Sequence, residues 1–100
     1  MLTIEKKTED DKVTIALDGR LDVSTAPQLA ETLQKSLDRT TELVFDLEKL
    51  EYISSAGFRV LLQAQKRMNR QGRMRLIHVG KEVMDTFEIT GFVDIFFIAD

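Results

Sequence analysis

Apolar and polar positions alternate at Leu2 and Ile4 and, more regularly, at Val13, Ile15 and Leu17, with the wholly polar Thr8-Glu9-Asp10-Asp11-Lys12 between them. This period-two pattern predicts two strands, each with one face in water, paired antiparallel. Gly19 is expected to end the second strand, leaving Arg20-Leu21-Asp22-Val23 as a connecting segment. From Ser24 or Thr25 the period changes. Ala26, Leu29, Ala30, Leu33 and Leu37 recur at helical spacing and make one apolar face. Thr25-Ala26-Pro27-Gln28 fits a capping box, with Pro27 in the first turn, where its missing N–H is no loss. Asp38-Arg39-Thr40-Thr41 closes this helix, and Leu43 to Leu47 reads as a central strand, apolar on both faces.

A second helix follows, with Phe58, Leu61, Leu62 and Met68 as its inner stripe, Arg59, Lys66, Arg67 and Arg70 outward, and Gly72 as its stop. Met74 to Val79 is the next strand, which puts His78 mid-strand. Gly80 to Thr90 reads as a shorter helix with Val83, Met84 and Phe87 inward, ended by Gly91. Val93 to Ile98 is a last strand or an apolar tail packed on the core. The order β-β-α-β-α-β-α-β makes residues 1–100 one α/β domain: a mixed, partly parallel sheet with amphipathic helices and right-handed crossovers.

Composition narrows the class. One hundred residues suffice for a single domain with its own core. The absence of cysteine rules out disulfides and thiolate metal sites, and fits a reducing cytoplasm. No uncharged apolar run is long enough to cross a membrane, and Met1-Leu2-Thr3-Ile4-Glu5-Lys6-Lys7 lacks the apolar segment of a signal peptide. A formal net charge of −3 argues against nucleic acid as a direct partner. The expectation is a cytoplasmic protein without membrane insertion.

Catalytic constellations are scarce. The lone histidine, His78, lies among apolar neighbours, which is the usual setting of a structural histidine. There is no Gly-x-Ser-x-Gly elbow, no carboxylate cluster suited to a metal, and no glycine-rich nucleotide loop. No catalytic residue, metal or cofactor is therefore expected, although a small nucleotide-binding α/β module stays open as an alternative. The basic residues from Arg59 to Arg75 lack interleaved aromatics, so they read as a solvated helix face or a protein-docking surface.

Tyr52 to Val60 stands apart. Ser54 and Ser55 fall where the second helix begins. They read either as N-cap residues, typically worth ~1 kcal/mol, or as the site of a phosphate. Free N–H donors and the positive end of the helix dipole would accommodate an anion there. Phosphorylation would add about −1.5 to −2 charge at pH 7 to a neutral surface without unfolding it.

Val44-Phe45-Asp46-Leu47 followed by Ile53-Ser54-Ser55-Ala56-Gly57-Phe58-Arg59-Val60-Leu61-Leu62 resembles the signature of the anti-sigma-factor antagonists, a bacterial STAS-domain family. Gly19-Arg20-Leu21-Asp22 with Thr25-Ala26-Pro27 resembles the family's segment before the first helix, and Thr90-Gly91-Phe92 resembles its ending. The resemblance implies a non-enzymatic binding module. Its unphosphorylated form would bind an anti-sigma factor, typically a GHKL-type serine kinase using ATP and Mg²⁺, and so release the sigma factor. It implies Ser55, two residues before the glycine, as the phosphoacceptor, and a PP2C-type phosphatase as the restoring enzyme. Many members carry aspartate directly before the acceptor; this chain has Ser54 there, which is the second candidate. Asp22 matches an acidic position near the acceptor, so the implied partner surface is Asp22, Ser54, Ser55, Ala56, Gly57, Phe58 and Arg59. Other members serve as STAS modules of transporters, stressosomes or lipid-transport complexes.

Overall fold

A computed structural model of the chain describes residues 1–91 and 93–99, Val93 by its backbone alone. Strands β1 (Leu2–Glu9) and β2 (Lys12–Leu21) form an antiparallel hairpin. Its two-residue turn holds Asp10 at a left-handed φ of 54°, a conformation that aspartate tolerates better than most residues. Then come α1 (Ala26–Ser36), β3 (Glu42–Ile53), α2 (Ser55–Gln71), β4 (Arg73–Ile77), α3 (Lys81–Thr90), a 3-10 turn (Val93–Ile95) and β5 (Phe97–Ala99). The sheet runs in chain order, β1-β2-β3-β4-β5, and every pairing after the hairpin is parallel. The predicted element order is the observed one.

Each parallel strand is laid beside its predecessor, so right-handed crossovers bring all three helices to one face. That face carries Val13, Ile15, Leu17, Leu43, Phe45, Met74 and Leu76, buried beneath the helix stripes of Leu29 and Leu33, of Phe58, Leu61 and Met68, and of Val83 and Phe87. Phe58, Phe87 and Phe96 close the core at one end, with ring centroids 5.4–5.5 Å apart. The opposite face is largely polar. Glu5 and Asp18 are exposed there and Asp46 is half-buried, so of the central strand only Val44 is buried on that side.

Two irregularities extend β3 beyond its predicted end at Leu47. Between Ala16 and Asp18, and again between Gly19 and Arg20, the pairing advances one residue further on β3 than on β2. Each bulge resets the alternation. The buried residues therefore become Leu47, Leu50 and Ile53, three apart, and the strand runs straight into α2. Gly19 lies inside β2 rather than ending it. Its φ is 114°, and a Cβ there would strike the Met1 carbonyl oxygen. Arg20 and Leu21 are accordingly strand residues rather than linker. At the C-terminus, Gly91 adopts a left-handed φ of 76° and stops α3 as expected. The predicted final strand narrows to β5, and Phe92 of the Thr90-Gly91-Phe92 segment lies outside the described residues.

Candidate functional site

Paired ends of β2 and β3 build the site. Leu21 is registered against Ile53, and the Leu21 carbonyl accepts the Ser54 N–H at 2.9 Å. The loop after β2 and the helix after β3 therefore start side by side, on strands about 4.8 Å apart.

The two serines have different environments. Ser54 is the N-cap of α2, extended at φ −94° and ψ 173°. Its Oγ accepts from the Gly57 N–H at 3.3 Å and its carbonyl accepts from the Phe58 N–H at 2.8 Å. Ser55 is the first helical residue and is exposed, and among the described residues its hydroxyl makes no side-chain hydrogen bond. With one amide satisfied by Ser54, the helix start retains the orphan N–H donors of its first two positions, beside Ser55.

Asp22 organises the neighbouring loop. Its Oδ1 accepts from Ser24 Oγ at 2.7 Å, from the Ser24 N–H at 3.0 Å and from the Thr25 N–H at 3.2 Å, and its Oδ2 lies 4.0 Å from Arg20 Nε. The Ser24 hydroxyl bond, joined by the Ser24 and Thr25 contacts and opposed by partial desolvation, holds the carboxyl below its ordinary value. Thr25 does not form the predicted capping box. Its backbone is already near-helical at φ −104° and ψ −17°, and its buried hydroxyl is drawn back into the loop. There it donates to the Arg20 carbonyl at 2.8 Å and accepts the Asp22 N–H at 2.9 Å. Gln28 reaches the Leu2 carbonyl instead.

Of the seven residues implied as partner surface, Ser55 and Arg59 are exposed, and Asp22, Ser54 and Ala56 are half-buried around them. Gly57 and Phe58 are corrections: both are buried. A Cβ on Gly57 would meet Leu21, and Phe58 points into the aromatic core. They hold the surface in place from behind. Two residues outside that set lie beside it. Arg20 and Tyr52 are cross-strand partners, with the Arg20 guanidinium 4.3 Å above the Tyr52 ring. Both lie in stretches already notable in the sequence, but only the second bulge of β3 puts them opposite each other.

His78 is also a correction. β4 ends at Ile77, and His78 follows it at a left-handed φ of 55°, half-exposed, with Nδ1 3.0 Å from Asp46 Oδ1. Asp46 lies in β3 well before the strand reaches Ser54, so this pair takes no part in the serine site. Among the described residues, no group of three histidine, cysteine or acidic side chains is arranged to hold a metal ion. No helix of the described residues is long and apolar enough to cross a membrane.

The model of the STAS domain matches residues 3–100. This chain belongs to the STAS domain family. A proposed anti-sigma factor antagonist of Bordetella bronchiseptica, BtrV, is 37% identical over 99% of this STAS chain and 85% of its own length. Among solved structures, an anti-sigma factor antagonist from Mycobacterium paratuberculosis superposes with a TM-score of 0.88 at 21% identity, over 98% of this chain and 85% of that one. The Bacillus cell fate determinant SpoIIAA in its phosphorylated form gives 0.75 at 19% identity, over 100% and 92%. The five-stranded sheet with three helices on one face is the STAS fold of these structures.

Proposed function

We propose that this STAS domain is an anti-sigma-factor antagonist whose partner binding is switched by phosphorylation of Ser55. The unphosphorylated form binds an anti-sigma factor that is itself a serine kinase, and so frees the sigma factor. Phosphoryl transfer from ATP to Ser55 Oγ ends the binding, and a PP2C-type phosphatase hydrolyses the ester and restores it. The name of the Bordetella relative and the phosphorylated state of a structural neighbour support this reading.

The observation that carries it is the inequality of the two serines. Ser54 Oγ is engaged in capping, whereas Ser55 Oγ is exposed and unengaged among the described residues. A phosphate on Ser55 would face the orphan N–H groups of α2, a setting in which anions are stabilised by roughly 0.3–1 kcal/mol. The fold would therefore survive modification. The surface would not remain the same, because about two negative charges would be added beside the ionised Asp22.

The test uses the serine-kinase anti-sigma factor encoded in the same genome, with ATP and Mg²⁺. Wild type and Ser54→Ala should accept phosphate, and Ser55→Ala should not. Phosphate incorporation into Ser55→Ala at the wild-type level would overturn the assignment.

A further inference from the structure

α2 is electrostatically one-sided. It carries Arg59, Lys66, Arg67 and Arg70 and no acidic residue, so the rest of the chain bears a formal −7 against the overall −3. Among the described residues, Arg67 pairs with Asp38 at 3.1 Å, while Arg59, Lys66 and Arg70 are paired with no carboxylate. These cations border a trough between α1 and α2. Small side chains (Ala26, Ala30, Ala56) let the floor sink, Val60 and Leu33 give it apolar surface, and Gln63 and Gln34 are the uncharged polar groups along it. Among the described residues lining the trough and its basic margin there is no carboxylate, and Asp38 reaches only Arg67, from beside it. From Arg59 to Arg70 the margin extends about 16 Å at 1.5 Å per residue, the length of three helical turns.

We infer that this trough is a docking site for an acidic amphipathic helix of the anti-sigma factor, so that the interface runs from Ser55 along the whole of α2. This rests on the function proposed above. An apolar floor with a cationic margin suits a helix with one apolar stripe flanked by Glu or Asp. A phosphodiester backbone would satisfy the cations but leave the apolar floor without a partner. The trough also explains how one phosphate can release a long interface. Its upper end is formed by Ala56 and Arg59, and Arg59 stands four residues after Ser55 on the same helix. Residues so spaced are surface neighbours. A phosphate on Ser55 repels the acidic occupant and at the same time engages Arg59, withdrawing the first cation of the margin.

Binding of the intact serine-kinase anti-sigma factor from the same genome, measured at low and physiological salt, tests the inference. The variants are Lys66→Glu/Arg70→Glu, remote from the serines, and Ser55→Asp. The double reversal should weaken binding roughly tenfold or more and flatten its salt dependence, with a thermal midpoint close to wild type. If it binds like wild type while Ser55→Asp does not, the docking site is wrong and the phosphorylation switch stands. If wild type itself does not bind, both readings fall. Salt-sensitive binding of a random-sequence DNA duplex, lost in the double reversal, would assign the margin to nucleic acid and overturn the inference.

Discussion

Gly57 lies so close to Leu21 that a Cβ on it would stand 2.5 Å from Leu21 Cγ and 2.8 Å from the Leu21 carbonyl oxygen. That same oxygen holds the Ser54 N–H. One residue of β2 thus pins the first turn of α2 at two points, and the Asp22 loop departs from the residue that follows. The glycine serves close approach rather than an unusual backbone angle.

Gly57→Ala should therefore be destabilising, in contrast to most glycine-to-alanine changes within a helix. Overpacking of this kind costs about 1–3 kcal/mol, and each kcal/mol lowers the melting temperature by about 4–8 °C in a domain this size. Urea denaturation measures it. An unchanged midpoint would mean that the first turn of α2 can pivot away from Leu21 without loss.

Ser54→Ala and Ser55→Ala should separate on stability as well as on phosphorylation. Removing the Ser54 cap should cost about 0.5–2 kcal/mol. Ser55→Ala, at an exposed position with no side-chain hydrogen bond among the described residues, should stay within about 0.5 kcal/mol of wild type. Equal denaturation midpoints for the two variants would contradict the distinct environments described for the two hydroxyls.

Phe58→Ala and Arg59→Ala test the division between support and surface. Phe58 is buried against Phe87 and Phe96, and its truncation should cost about 3–5 kcal/mol. Arg59→Ala should leave thermal stability almost unaltered and weaken partner binding. A Phe58→Ala protein that melts like wild type yet fails to bind would put Phe58 back on the contact surface.

The only histidine supplies a pH signature. The hydrogen bond to Asp46 is the largest influence on His78 and raises its pKa above 6.5; the charges of Asp46 and Glu48 act the same way, and partial desolvation opposes them. Because the folded-state pKa is the higher one, the pair's stabilisation is fully present below pH 6.5 and is lost as pH rises through the folded value. Asp46→Asn should lower the His78 pKa seen by NMR titration and flatten the pH dependence of the urea midpoint above pH 6.5. A His78 titration that does not move in this variant would show that the imidazole does not depend on Asp46.

Much of the fold was legible because its causes are local. Period-two alternation marked the hairpin, and the spacing of Leu29 and Leu33, of Phe58, Leu61 and Met68, and of Val83 and Phe87 marked the helix faces. The misreadings share one origin. Period-two alternation marks β3 only as far as Leu47, because two bulges turn it into a three-residue spacing through Leu47, Leu50 and Ile53. Those bulges exist only relative to β2. Thr25 looked like a helix cap because Gln28 stands three residues on, but its hydroxyl bonds back to Arg20 and Asp22. His78 looked like a strand residue because its neighbours are apolar, but β4 had already ended.

The sequence by itself determined that this is one α/β domain of the observed element order, with two serines where a strand gives way to a helix. Hydrophobic periodicity, glycine stops and the family's motifs are properties of neighbouring residues along a chain. Only the tertiary structure decided that Ser54 is engaged and Ser55 exposed, that Gly57 and Phe58 support the surface from beneath, and that Arg20 faces Tyr52. Those outcomes depend on strand pairing across about thirty residues of chain, from Leu21 to Ile53. No local pattern records which carbonyl will be waiting at the other end.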